Sequence, residues 1–305
     1  MASEDAPPLA LEYEEMPAAF RASDRAALAS QRKAVHWTAW QLTMLVVAAG
    51  VAFFPWKIAD TVHVGGLLSF VAFGIAFVLA LRLATERPSD GWYEGRAGAE
   101  SVKTLTWRYA VGGEPFTIGL DAEQVDLLFE SRLHEVMGQL SDLHWSGGGV
   151  GDQITARMRE MRSWDLPTRK RTYALHRVRD QQAWYDAKAE LNHRRARQWG
   201  LVGLLASMAG LVAALLRATL VFDPEIDPLS VFATLAVAAT AWIQARQFQT
   251  LAKSYGIAGQ ELGTIAIRLP HVDTETEWAA FVRDAEAAIS REHTLWLTRR
   301  TEIAV

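Results

Sequence analysis

The stretch Trp145 to Asp152, WSGGGVGD, carries Gly147, Gly148, Gly149 and Gly151 and has the composition of a phosphate-cradling loop. That chemistry also needs a Lys followed by Ser or Thr to hold phosphate and metal, and a strand leading in. Neither is present, so the run reads as a mobile connection. Eight histidines are scattered, with no pair sharing a helical face with a carboxylate, and no metal is assigned. The absence of cysteine removes disulfides, thiolate ligands and a cysteine nucleophile. Glu100 and Glu261 fall at equivalent places in two similar stretches and have the chemistry of an acid and base pair. No nucleophile or metal set accompanies them, so a helix–helix hydrogen bond or a salt bridge to arginine is the expectation. The basic run Arg169, Lys170, Arg171, Arg177 and Arg179 is diluted by Asp165, Asp180, Asp186 and Glu190, which describes a solvated, salt-bridged helix. A formal net charge of −4 gives no bias towards nucleic acid. No catalytic residue and no cofactor is assigned, and the chain is not expected to be an enzyme.

Two short stretches give the organisation. GRAGAES, Gly95 to Ser101, and GIAGQEL, Gly256 to Leu262, agree at Gly, Ala, Gly and Glu and lie 161 residues apart. Larger features repeat at the same offset. Four windows are almost free of charge: residues 37–56, 62–81, 199–216 and 229–245. A helix needs about 20 apolar residues to cross the hydrocarbon core. The first three windows meet or approach that length; the fourth is shorter and contains Thr234, Thr240 and Gln244. Four such helices leave too little amphipathic sequence to bury them in a soluble protein. Shifted by the offset, the first window falls on the third and the second overlaps the fourth. The expected architecture is therefore an all-α integral membrane protein of two tandem transmembrane hairpins with long helical extensions. Residues 1–19 read as an acidic flexible tail, 20–160 as the first two-span unit and 166–305 as the second.

Charge sets the orientation. Fifteen Lys and Arg flank the outer ends of the windows, Arg21 and Arg82 among them, while the two hairpin connections hold only Lys57 and Arg217. The positive-inside rule places both termini and the central segment in the cytoplasm. Pro167 and a cap at Ser163 or Asp165 predict one helix from about residue 166 into the third span, roughly 50 Å of it before the membrane. A helix restarting after Arg87-Pro88, capped by Ser89 or Asp90, ends at Gly112-Gly113. Amphipathic helices follow over about 121–143 and 274–300, the latter opened by a capping box from Thr274 to Glu277.

Inside the windows, Ala72, Ala76 and Ala80, Gly203 and Ser207, and Gly210 and Ala214 recur every fourth residue, a pattern that lets helices approach closely. No Asp, Glu, Lys or Arg marks a mid-membrane transport path. Weakly polar Gln41, Ser69, Thr234, Thr240 and Gln244 are the pore-lining candidates in an oligomer with a hydrophobic gate.

WYEGRAGAESVKTLTWRYAVGGEPF, Trp92 to Phe116, and YALHRVRDQQAWYDAKA, Tyr173 to Ala189, resemble the SLATT family, two-transmembrane domains associated with bacterial nucleotide-signalling conflict systems. The second copy departs after its spans, where SYGIAGQELGTIAIRL lacks the Trp-Arg-Tyr. The resemblance implies a pore-forming effector triggered by a cytoplasmic partner that senses or makes a nucleotide. It also makes Trp92, Arg96, Glu100, Trp107, Arg108, Tyr173, Arg177, Trp184, Tyr185 and Lys188 candidates for a cytoplasmic interface or ligand site, and the internal repeat adds Glu261. The expected assembly is a homo-oligomer in the lipid bilayer. Two other readings stand beside it: a scaffold that tethers a partner to the membrane, and a nucleotide receptor with Arg96, Arg108 and Arg177 on the phosphates.

Overall fold

The computed structural model describes residues 11–53, 57–58, 62–139, 151–219 and 227–303. The glycine run at 147–149 and the end of the helix expected to reach residue 143 lie outside them. Among the described residues, ten α-helices follow one another: α1 (Ala18–Ala52), α2 (Val64–Glu86), α3 (Pro88–Val111), α4 (Ala122–Gln139), α5 (Ala156–Ser163), α6 (Leu166–Tyr173), α7 (Asp180–Ala218), α8 (Pro228–Arg246), α9 (Phe248–Arg268) and α10 (Glu275–Ile303). Before α2, β1 (Lys57–Ile58) and β2 (Val62–His63) pair antiparallel over two residues each, a clip that the all-α reading did not foresee. Among the described residues, four helices are long and apolar enough to cross a membrane: α1, α2 continued by α3, α6 continued by α7, and α8 continued by α9.

The repeat is written in the backbone as well as in the glycines. Arg87 (φ 41°) and Gln247 (φ 49°), neither of them glycine, both adopt the left-handed conformation. Each stops a span helix, and each is followed at once by the start of the next helix, at Pro88 and Phe248. The stop is Arg87 itself, and Pro88 at the first helical position needs no amide hydrogen there. Ser89 and Asp90, expected as caps, therefore lie within the first turn of α3.

The chain divides into two compact units, and the division cuts across the repeat. The span unit comprises Ser30–Ser89 and Ala189–Lys253. The polar unit comprises Met1–Ala29, Asp90–Lys188 and Ser254–Val305.

In the span unit, the Ser69 hydroxyl donates to the Ala48 carbonyl at 2.9 Å, tying α2 to α1. On α7, a side chain at Gly203 would sit 3.6 Å from Ala239 Cβ, and one at Gly210 3.5 Å from Phe232 Cβ, so these glycines face α8. Ala206 and Ala213 are buried on the same helix, whereas Ser207 is exposed and Ala214 half-buried. The packing seam therefore alternates steps of three and four. A strict spacing of four drifts about 40° around the helix at each step. On α2, Ala72 and Ala76 are buried and Ala80 is half-buried.

In the polar unit, two apolar clusters form the core. One gathers Trp107, Tyr173, Tyr185, Leu262, Trp278 and Val282; the other gathers Val102, Tyr109, Phe116, Phe129 and Met158. Asp165 caps α6, its carboxylate accepting from the Thr168 amide at 3.1 Å. Thr274 and Glu277 form the reciprocal box at the start of α10, at 3.2 and 3.3 Å. The helix expected from residue 166 into the third span is continuous over Leu166–Ala218, with a π-helical segment, Ala174–Arg179, joining α6 to α7. The segment read as a flexible tail packs from Leu11 onward: Met16, Ala18 and Ala19 are buried, and Glu15 pairs with Arg157 at 3.0 Å.

Candidate functional site

The π segment aims Arg177 into the core of the polar unit. An insertion of this kind shifts the side-chain register of a helix and recurs at functional positions. Arg177 is fully buried. Its Nε and Nη2 donate to the two carboxylate oxygens of Glu286 at 2.9 and 2.7 Å, the parallel fork that guanidinium and carboxylate form best. Nη2 also reaches Glu100 at 3.0 Å and Thr104 at 3.4 Å. The Tyr173 hydroxyl completes the set, donating to Glu286 at 2.9 Å. Burial opposes the charge on Arg177, but Glu286 and then Glu100 outweigh it and hold its pKa above the ordinary value. Burial and then the Glu286 charge raise the Tyr173 phenol well above its usual range. The group is thus one arginine between two carboxylates, in a tyrosine-lined core, with Arg177 Nη1 lacking a hydrogen-bond partner among the described residues. It joins α3 of the first copy to α10 of the second through the segment that opens the second copy. Chemically it is a buried ion triad, one guanidinium shared by two carboxylates.

Next to it, Lys103 donates to Gln181 at 3.1 Å, and burial lowers its pKa against the opposing pull of Glu100. Arg108 donates to the Glu114 carbonyl at 2.6 Å, its pKa lowered by burial. Trp107 meets Tyr173 edge-on at 5.9 Å. A second group lies around half-buried Trp184, with the Arg96 guanidinium 5.3 Å and the Lys188 ammonium 5.6 Å from its ring centroid. Tyr255 stands edge-on to Trp184 at 5.4 Å, beside buried Tyr185. Trp92 packs against Tyr93 at 4.5 Å.

The candidates therefore fall into two sets. Glu100, Trp107, Tyr173 and Arg177 come together in the core, and Arg96, Trp184, Tyr185 and Lys188 gather around one indole. Glu261, the repeat equivalent of Glu100, is exposed. The phosphate set Arg96, Arg108 and Arg177 is not assembled, since Arg177 is enclosed by carboxylates and Arg108 holds a backbone carbonyl. Glu286 escaped the sequence reading, although a signal for it exists: it shares the apolar face of α10 with Trp278, Val282 and Ile289. Buried Arg169, which donates to the Trp164 and Val111 carbonyls at 2.9 and 2.8 Å, was read there as part of a solvated face. Among the described residues, no three His, Asp or Glu gather in a way that could hold a metal ion.

Of the weakly polar residues in the spans, Ser69 bonds to α1, and Thr234 and Thr240 bond back to their own helix at 2.7 and 3.1 Å. Gln41 and Thr234 are half-buried, while Thr240 and Gln244 are exposed. The exposed positions of α8 are Ser230, Ala233, Val237, Thr240, Gln244 and Ala245, and the first five form one stripe with steps of three and four. The exposed face of α2 instead carries Phe70, Phe73 and Phe77 at 75%, 58% and 67% of full exposure.

Residues 17–170 match the family model described as SMODS and SLOG-associating 2TM effector domain 3. Residues 173–296 match the model described as SMODS and SLOG-associating 2TM effector domain 1. No curated protein and no solved structure matches the chain. With four candidate spans and two such matches, one along each half, the chain is a multi-pass membrane protein and belongs to the SLATT family, as two effector domains in tandem.

Proposed function

We propose that the protein is an oligomeric membrane effector whose spans assemble into a pore and permeabilise the bacterial inner membrane in antiphage nucleotide signalling. Both termini and the polar unit face the cytoplasm, where a nucleotide-sensing or nucleotide-producing partner supplies the trigger. The observation that carries this reading is the contrast between α2 and α8. Phenylalanines on α2 make a surface suited to acyl chains. The α8 stripe is small and weakly polar, with Ser230, Thr240 and Gln244 along it. Such a face gains little from lipid, but it suits close packing between copies or a weakly polar lumen. Liposomes containing the purified chain test the reading, with ion leakage and oligomer mass measured on one preparation. The expected result is leakage from a defined oligomer, strongly reduced by Thr240→Leu with Gln244→Leu. A stable oligomer that stays tight with partner and nucleotide present would support a membrane scaffold instead.

A further inference from the structure

A groove of about 440 Å³ lies along α2 between residues 71 and 82, lined by Val71, Gly74, Ile75, Val78 and Arg82, with Trp37 of α1 beside Arg82. A side chain at Gly74 would meet nothing within 4 Å, so the missing side chain there is part of what keeps the groove open. Val71, Ile75 and Val78 are about half exposed, at 51%, 46% and 50%. The groove is apolar along its length and cationic at one end. There the Arg82 guanidinium stands 5.7 Å from the centroid of the Trp37 ring, and Lys33 lies 4.6 Å from the same ring. Lys33 is paired with Glu86, whereas Arg82 has no ion-pair partner among the described residues.

The second copy provides an internal comparison. Counted back five positions from the left-handed residues Arg87 and Gln247, Arg82 corresponds to Trp242. Trp242 packs against Trp199 at 6.0 Å, as Arg82 packs against Trp37. Where the second copy has an indole, the first has a cation. Arg82 directly follows the apolar window 62–81, which sets it at headgroup depth, and a tryptophan beside it fits the same level. Basic pockets between spans at that depth suit anionic headgroups. A second copy of the chain is the other occupant to consider, but the one carboxylate of α2, Glu86, is already paired with Lys33, and the four apolar windows contain no Asp or Glu. A lipid phosphate supplies that charge.

We propose that this groove binds an anionic phospholipid, with one acyl chain along Gly74 and Val78 and the headgroup phosphate on Arg82. The test is native mass spectrometry of the full-length, delipidated protein after incubation with phosphatidylglycerol or phosphatidylcholine at equal concentration. Circular dichroism confirms that each variant keeps its helix content. The wild type is expected to retain phosphatidylglycerol about fivefold better, the effect of one basic side chain beside an anionic headgroup. Arg82→Gln removes the preference while leaving phosphatidylcholine binding unchanged, and Arg82→Lys keeps it. Gly74→Leu fills the groove and lowers retention of both lipids. Equal retention of the two lipids by the wild type overturns the proposal. So does retention of phosphatidylglycerol by Arg82→Gln or Gly74→Leu at the wild-type level. A change in oligomer mass for Gly74→Leu with lipid binding intact overturns it in favour of a contact between copies.

Discussion

Arg177 illustrates how a residue type misleads until its surroundings are known. In the linear chain it belongs to a basic run, and the run looks solvated. In the fold it is fully buried, and its charge is held by Glu286 and Glu100. Removing one partner of a buried pair leaves an uncompensated charge, a change that costs roughly 3–5 kcal/mol. Glu286→Gln keeps the shape and one acceptor, so the lower part of that range is expected, read as a fall in unfolding free energy of the detergent-solubilised chain. Glu261→Gln, at the repeat equivalent of Glu100, is exposed and should leave the unfolding curve where it was. A loss from Glu261→Gln as large as that from Glu286→Gln would mean that Glu261 too holds a buried charge. The repeat made Glu100 and Glu261 look interchangeable, but a carboxylate acquires its role from what it faces, and only Glu100 faces an arginine.

At the scale of elements, the repeated glycines have diverged in the same way. A Cβ at Gly95 would lie 2.9 Å from the Ala27 amide nitrogen and 3.0 Å from its Cα, so α3 crosses α1 at backbone contact. Backbone cannot rotate out of the way, and overpacking of this kind costs about 1–3 kcal/mol. At Gly256, one repeat on, nothing stands within 4 Å. There an alanine lowers the entropy of the unfolded chain and favours helix by up to about 1 kcal/mol. Gly95→Ala is therefore expected to lower the midpoint of thermal unfolding and Gly256→Ala to raise it or leave it level. The opposite order would remove the contact between α1 and α3 from the account. Helix positions were largely legible in the sequence, because caps such as Asp165 and the Thr274–Glu277 box are local signals. The break after Arg87 was legible too, because Pro88 follows it, but the matching stop at Gln247 was not, since a non-glycine residue in the left-handed region carries no local signature. The π segment was also hidden, because Ala174–Arg179 has an ordinary helical composition.

For the whole molecule, the charge asymmetry around the spans makes a prediction that a cysteine-free chain is well suited to test. Single cysteines at His63 and Asp227, next to the two hairpin connections, should react with a membrane-impermeant maleimide in intact cells. A cysteine at Ala29 should react only after lysis. Labelling of Ala29→Cys in intact cells would reverse the orientation, and with it the placement of the polar unit where a cytoplasmic partner can reach it. The two compact units also qualify the duplication. Each copy contributes to both units, so each family domain contains membrane and non-membrane parts and neither domain is a unit of packing by itself.

What the sequence alone determined is what depends on local composition and on periodicity: four apolar windows, their duplication, the helical caps and the motifs that carry the family resemblance. These survive because a span must satisfy its own backbone hydrogen bonds in lipid, which forces helix wherever about 20 apolar residues run together. The tertiary structure decided which residues meet. It paired Arg177 with Glu286, a carboxylate 109 positions away. It gathered Arg96 and Lys188 around Trp184, left Glu261 at the surface, and opened a groove beside Gly74 and Arg82. Lys188 lies one turn from Trp184 on the same helix, but the pairing of Arg177 with Glu286 and of Arg96 with Trp184 does not follow from spacing along the chain, because it is set by helices that are distant in sequence and adjacent only after packing.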